Sequence, residues 1–140
     1  MKTQRFIIML FALMFVFAPQ LFRTATAAGT GAKYSARLIS PSAGEVLVPG
    51  QVVRIEWMST LPDLDLSNCE TEIRLSLDGG RTFTWLTGER DPRVKYFDWT
   101  VPYTPTKAAV LDIHFGCLGY YPESASIQTQ SAFVISALKK

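Results

Sequence analysis

Between Cys69 and Trp85 the chain reads Cys-Glu-Thr-Glu-Ile-Arg-Leu-Ser-Leu-Asp-Gly-Gly-Arg-Thr-Phe-Thr-Trp, and few folds accommodate that order. Thr71, Ile73, Leu75 and Leu77 fall on one face, whereas Glu70, Glu72, Arg74 and Ser76 fall on the other. A period of two predicts a strand with one dry and one wet face. Asp78-Gly79-Gly80 then supplies a turn before a second run of β-favouring residues, so the centre of the chain reads as a β-hairpin.

The amino-terminal 28 residues carry a different signal. Lys2 and Arg5 give a basic start, Phe6 to Ala18 is uninterruptedly apolar, Pro19 breaks the run, and Ala25-Thr26-Ala27 offers small residues for cleavage. That pattern predicts a signal peptide over residues 1–28, cut at Ala27/Ala28 or Ala28/Gly29. The apolar run falls short of the about 20 residues that a membrane span takes. The alternative is an uncleaved anchor in which Leu21 and Phe22 extend the run past Pro19. Cleavage leaves about 112 residues, enough for one domain with one core.

Processing also changes the charge. The chain has 14 basic and 12 acidic side chains. Removing Lys2, Arg5 and Arg23 leaves 11 against 12, a formal net charge of −1. So balanced a domain has no electrostatic footprint for nucleic acid or anionic lipid, and after cleavage no membrane insertion is expected. The closing Lys139-Lys140 pair reads as a frayed tail.

The rest of the chain continues in short strands. Gly29 to Lys33 is a flexible small-residue leader, and the domain is expected over 34–137. Tyr34 to Ile39 forms a strand stopped by Ser40-Pro41, and Glu45 to Val48 is a short extended piece. Gln51 to Trp57 sends Val53, Ile55 and Trp57 inward; Tyr96 to Val101 does the same with Phe97, Trp99 and Val101. Val110 to Cys117 places Leu111, Ile113, Phe115 and Cys117 on one face, with Asp112 and His114 outward. Gly119 to Gln130 reads as a long irregular loop, and Phe133 and Ile135 close the core. Seven to eight strands without an amphipathic helix predict an all-β antiparallel sandwich or barrel.

Two cysteines in an exported domain predict one disulfide, Cys69 to Cys117. Free or intermolecular thiols are the alternative. The two would lie on neighbouring antiparallel strands, near one end of a sheet.

Ile39-Ser40-Pro41-Ser42-Ala43-Gly44-Glu45, Gly50, and Val53-Arg54-Ile55-Glu56-Trp57 resemble the opening of bacterial immunoglobulin-like or fibronectin type III-like envelope modules. Ser76-Leu77-Asp78-Gly79-Gly80-Arg81-Thr82-Phe83, Asp98-Trp99-Thr100-Val101-Pro102 and Phe133-Val134-Ile135 extend the resemblance over residues 36 to 136. A related pattern opens the yeast family of cell-wall glucan assembly proteins. The resemblance implies an immunoglobulin-like antiparallel β-sandwich and an extracytoplasmic, non-catalytic role. It brings no active-site residues.

Each candidate for chemistry has a plainer reading. Ser76, Asp78, Gly79, Gly80, Thr82 and Phe83 match a sialidase-type Asp box, but a single copy in so short a chain reads as a structural hairpin turn. Asp63-x-Asp65-x-Ser67-Asn68 begins like a calcium loop; Asn68 replaces the required glycine, and Arg74 stands where a bidentate glutamate belongs. His114 is the single histidine, so neither a histidine-based metal site nor any other metal or cofactor is expected. No Gly-x-Ser-x-Gly elbow is present, and an enzyme is not expected. Trp85, Tyr120 and Tyr121 are the candidate ligand-contacting residues, because an aromatic left on a surface can stack a sugar or anchor a protein.

The expected function is therefore a secreted or periplasmic, non-catalytic binding or structural module, with an envelope protein or polysaccharide as partner. A carbohydrate-binding accessory in envelope polysaccharide assembly or breakdown is the alternative. Non-reducing mass spectrometry of the exported protein is expected to find no free thiol; two free thiols would remove the disulfide.

Overall fold

A computed structural model of the protein describes residues 33–137. The expected signal segment, residues 29–32 of the leader and the Lys139-Lys140 pair lie outside the described residues. Among the described residues are nine strands: β1 (Ser35–Ser40), β2 (Val46–Leu47), β3 (Val52–Thr60), β4 (Cys69–Ser76), β5 (Thr84–Trp85), β6 (Tyr96–Thr100), β7 (Thr106–Cys117), β8 (Tyr121–Ser124) and β9 (Phe133–Ile135). The count exceeds the expected seven to eight because residues 121–124, read as part of a loop, pair with β7. The described helical structure is confined to two 3-10 turns, Leu66–Asn68 and Thr129–Ser131.

One sheet has the order β1-β3-β6; the other has β2-β9-β7-β4-β5, with β8 also beside β7. All pairs are antiparallel except β2 with β9, so the second sheet is mixed, a correction to the fully antiparallel expectation. The cause lies in residues 41–45. Glu45 turns its carboxylate back onto the Ser42 N–H (2.8 Å) and Oγ, closing the turn that follows β1. The chain then crosses to the second sheet, where the Val134 N–H donates to Glu45 O and the Ser136 N–H to Leu47 O.

The alternating residues of both sheets meet in one core. Leu38, Ile55, Trp57, Trp99 and Val101 from the first side face Leu47, Ile73, Leu75, Leu111, Ile113, Phe133 and Ile135 from the other. Full burial of each such aliphatic side chain is worth about 1.5–3 kcal/mol, which is why the register of every strand is pinned. The architecture is a β-sandwich.

The longest pairing joins β4 to β7 without interruption, from Cys69 opposite Cys117 to Ser76 opposite Val110. Cys69 and Cys117 form the disulfide, with an S–S distance of 2.11 Å, and it lies within one sheet at its end. β7 is longer than expected, beginning at Thr106 so that its first half can pair with β9.

Residues 126–128 close the sandwich along one side. Their backbone bonds β7, with the Ile113 N–H donating to Ser126 O and the Gln128 N–H to Leu111 O. Their side chains bond β1: Ser126 Oγ accepts from the Ala36 N–H at 3.1 Å, and Gln128 Oε1 accepts from the Leu38 N–H at 2.8 Å. Gln128 Nε2 donates in turn to Ala36 O at 3.1 Å. A strand edge buried without partners would be costly, and here side-chain amide and hydroxyl groups pair it. Gln128→Leu is expected to lower unfolding stability by about 1–3 kcal/mol in urea titration, since it leaves the buried Leu38 N–H without its acceptor. The exposed Thr104→Ala should stay within about 0.5 kcal/mol of the parent.

Candidate functional site: the outer face of the second sheet

Residues directly paired across a sheet share a face. Glu70 stands opposite Gly116, Glu72 opposite His114, and Arg74 opposite both Asp112 and Trp85. These side chains therefore form one surface, on the side of the sheet away from the core.

The hairpin positions Trp85 there. The link between β4 and β5 is a seven-residue loop rather than a tight two-residue turn, and Asp78 organises it. Its Oδ1 accepts from the Arg81 N–H (3.1 Å) and the Thr82 N–H (2.9 Å), while Oδ2 accepts from Thr82 Oγ1 (2.7 Å). Ser76 Oγ donates to the same carboxylate at 2.7 Å. These bonds hold the Asp78 carboxyl well below its usual range. Gly79 and Gly80 take φ of 77° and 91°, which only glycine adopts without strain. The Asp-box residues thus form the scaffold of the hairpin.

Asp112 and His114 lie on the outer face, where parity places them, but they are covered there. Asp112 is 0% exposed, covered by Arg74 from β4 and by the segment around Ser126. Arg74 Nε donates to its Oδ2 at 2.8 Å, with Nη2 on the same oxygen, and the Ser126 N–H donates to Oδ1 at 2.6 Å. His114 is nearly covered. Its Nδ1 lies 3.4 Å from Asp112 Oδ2, and its Nε2 lies 2.9 Å from Glu123 Oε2.

Trp85 completes this arrangement while remaining 55% exposed. The Arg74 guanidinium sits 4.9 Å from its ring centre and 5.3 Å from that of Phe83. His114 meets the indole edge-on, with centroids 5.8 Å apart. The indole is thus fixed by a cation, an imidazole and the β4–β5 pairing, yet over half of it meets solvent.

Beside it lies a band of carboxylates. Glu70 and Glu72 on β4 are joined by Glu89 from the segment after β5 and by Glu123 on β8. Glu123 lies over Gly116, where any Cβ would collide with its carboxylate. At the disulfide end the band borders an open cavity of about 460 Å³ whose lining includes Cys69, Glu70, Glu89, Arg90, Asp91 and Glu123. Partial burial raises the Glu70 carboxyl above its ordinary value, and the neighbouring Glu89, Glu72 and Glu123 raise it further. Burial and Glu123 likewise raise Glu72, against a smaller opposing pull from His114. For Glu70 and Glu72 burial is the larger cause, and repulsion from the neighbouring acids adds to it.

The other two aromatic candidates lie elsewhere. Tyr120 is half exposed in the turn after β7, where its hydroxyl donates to Asp65 O at 2.6 Å. Tyr121 turns to the inner side, edge-on to Phe115 at 5.4 Å, and its hydroxyl accepts from the Tyr34 N–H. The three do not share a surface. In the Asp63–Asn68 stretch, the Asp65 carboxylate caps the Leu66–Asn68 turn through Ser67. Sequence reasoning placed Glu70 and Glu72 on the outer face but did not gather them with Glu89, Glu123 and Trp85. That Glu72 and His114 both face outward was recoverable from strand parity; their direct pairing and the positions of Glu89 and Glu123 depend on long-range register.

Neither a protein-family model nor a curated protein matches this chain.

A carboxyl raised in the fold favours its protonated form there. The associated penalty is absent where both folded and unfolded states are protonated, and it grows as pH rises through the carboxyl range. Glu72→Gln is therefore expected to raise Tm at pH 7, with the gain shrinking towards about pH 3. Thermal unfolding across this interval checks the sign; a lower Tm at pH 7 contradicts it.

Proposed function

We propose that this protein is an immunoglobulin-like, fibronectin type III-like β-sandwich that acts outside the cytoplasm as a non-catalytic binding module at the cell envelope. Its partner, an envelope protein or polysaccharide, would engage the Trp85 face. The carrying observation is the coincidence of a rigidly held, half-exposed tryptophan with Glu70 and Glu72, whose ionisation is opposed by partial burial and by neighbouring acids. Groups that cost stability where they stand are the mark of a site kept for another purpose.

The strand order supports the fold assignment. β1, β3 and β6 would take the first, second and fifth lettered positions of an immunoglobulin-like domain, and β4, β7 and β9 those of its facing sheet. The disulfide within one sheet departs from the antibody pattern, in which the bond crosses the core. The disulfide is itself in keeping with an oxidising compartment, and among the described residues no helix is long and apolar enough to cross a membrane.

Two observations favour binding over catalysis. Both ring nitrogens of His114 are engaged with carboxylates, and both cysteines are bonded to each other. A carbohydrate-binding role is the second reading, favoured by the open indole of Trp85 as a stacking platform. Crosslinking in the native envelope tests the binding role. The expected result is a partner captured by the parent protein and by Val52→Ser on the opposite sheet, but lost with Trp85→Ala at unchanged Tm. Equal capture by all three removes the Trp85 face as the site. Retention on a neutral glycan affinity gel, lost with Trp85→Ala, selects the carbohydrate reading.

A further inference from the structure

The polar groups of the Trp85 face differ in kind. Its donors are turned inward: Arg74 gives Nε and Nη2 to Asp112, and His114 meets Asp112 and Glu123 through its two nitrogens. The groups that dominate the rest of the face are carboxylates, those of Glu70, Glu72, Glu89 and Glu123, the last already 2.9 Å from His114 Nε2, with Arg90 beside them in the cavity lining. Ionised carboxylates only accept hydrogen bonds, whereas ammonium and guanidinium groups only donate them. A neutral sugar, which needs both, meets few free donors here.

Trp85 adds a second preference of the same sign. The indole face attracts cations, as its contact with Arg74 already shows, and more than half of its surface stays open. Glu70 and Glu72 stand two residues apart on β4, about 6.6 Å along the strand. Same-side side chains of an extended peptide repeat at that distance. A bound cation would also offset the mutual repulsion that adds to burial in raising Glu70 and Glu72.

We propose that the Trp85 face docks an extended segment of a partner polypeptide carrying lysine or arginine at alternate positions, with Glu70, Glu72, Glu89 and Glu123 receiving the cations and Trp85 stacking one of them. This rests on the Trp85 face being the binding surface, and it names the chemistry of the occupant. Binding weakens with salt, as exposed charge pairs do.

The probe is an alternating lysine–threonine octapeptide, titrated calorimetrically into the purified disulfide-bonded protein. A glutamate–threonine counterpart, a chitosan oligomer and a neutral glucan oligomer are run alongside. Saturable binding of the lysine peptide alone is expected at about 0.15 M salt, tighter at lower salt. Trp85→Ala should weaken it about threefold, and Glu70→Gln with Glu72→Gln about fivefold. Glu56→Gln, a carboxylate change on the opposite sheet, should leave it unchanged. Equal affinity in all variants, or no saturable binding, overturns the proposal. Tighter binding of chitosan overturns the peptide assignment in favour of amino sugars. Trp85-dependent binding of the neutral glucan without the peptide overturns the cationic ligand but leaves the face as the site.

Discussion

A single buried carboxylate ties the fold to its candidate site. Asp112 sits in the middle of β7 with no solvent contact, and an unpaired charge there would cost several kcal/mol. Its two oxygens are satisfied in opposite directions. One takes Arg74 from β4; the other takes the Ser126 N–H from the segment after β8. The Ser126 bond sets the register from which Ser126 and Gln128 reach across to the edge of β1. The Arg74 bond places the guanidinium beneath Trp85 and Phe83. Closure of the sandwich and presentation of the indole thus share one anchor.

The outer faces of the two sheets handle charge differently. On the first, Arg54 and Asp98 form a two-point pair at 2.8 and 3.0 Å, with the guanidinium over Tyr96. Opposite charges there neutralise each other across the β3–β6 pair. On the second, Arg74 is committed to Asp112, His114 offsets Glu72 in part, and Arg90 lines the cavity beside Glu70, Glu89 and Glu123. Such an imbalance has no benefit for folding, and it gives the second face the stronger claim to a ligand.

Much of the architecture was legible in local pattern. Alternation around Ile73 and Leu75, around Ile55 and Trp57, and around Leu111 and Ile113 placed each residue on the correct side, because one dry face imposes a period of two. The shared parity of Cys69 and Cys117 foretold a bond between neighbouring strands. Less legible was the stretch from Gly119 to Gln130, where Gln128 resembles any polar loop residue and becomes a buried bridge only because the β1 edge lies beside it. The burial of Asp112 escaped notice for the same reason: parity assigned its outer face correctly, but not what covers that face.

Taken by itself, the amino-acid order determined the all-β class, the central hairpin with its Asp78-centred loop, and the disulfide partners. These follow from periodicity and turn chemistry acting within a few residues. Tertiary structure alone decided that β2 would run parallel to β9, that Asp112 would be buried, and that Tyr121 would turn inward while Trp85 stayed out. It also gathered Glu70, Glu72, Glu89 and Glu123 into one band. The reason is physical: these outcomes depend on which distant segment arrives to pair a backbone edge or cover a charge, and no local preference carries that information.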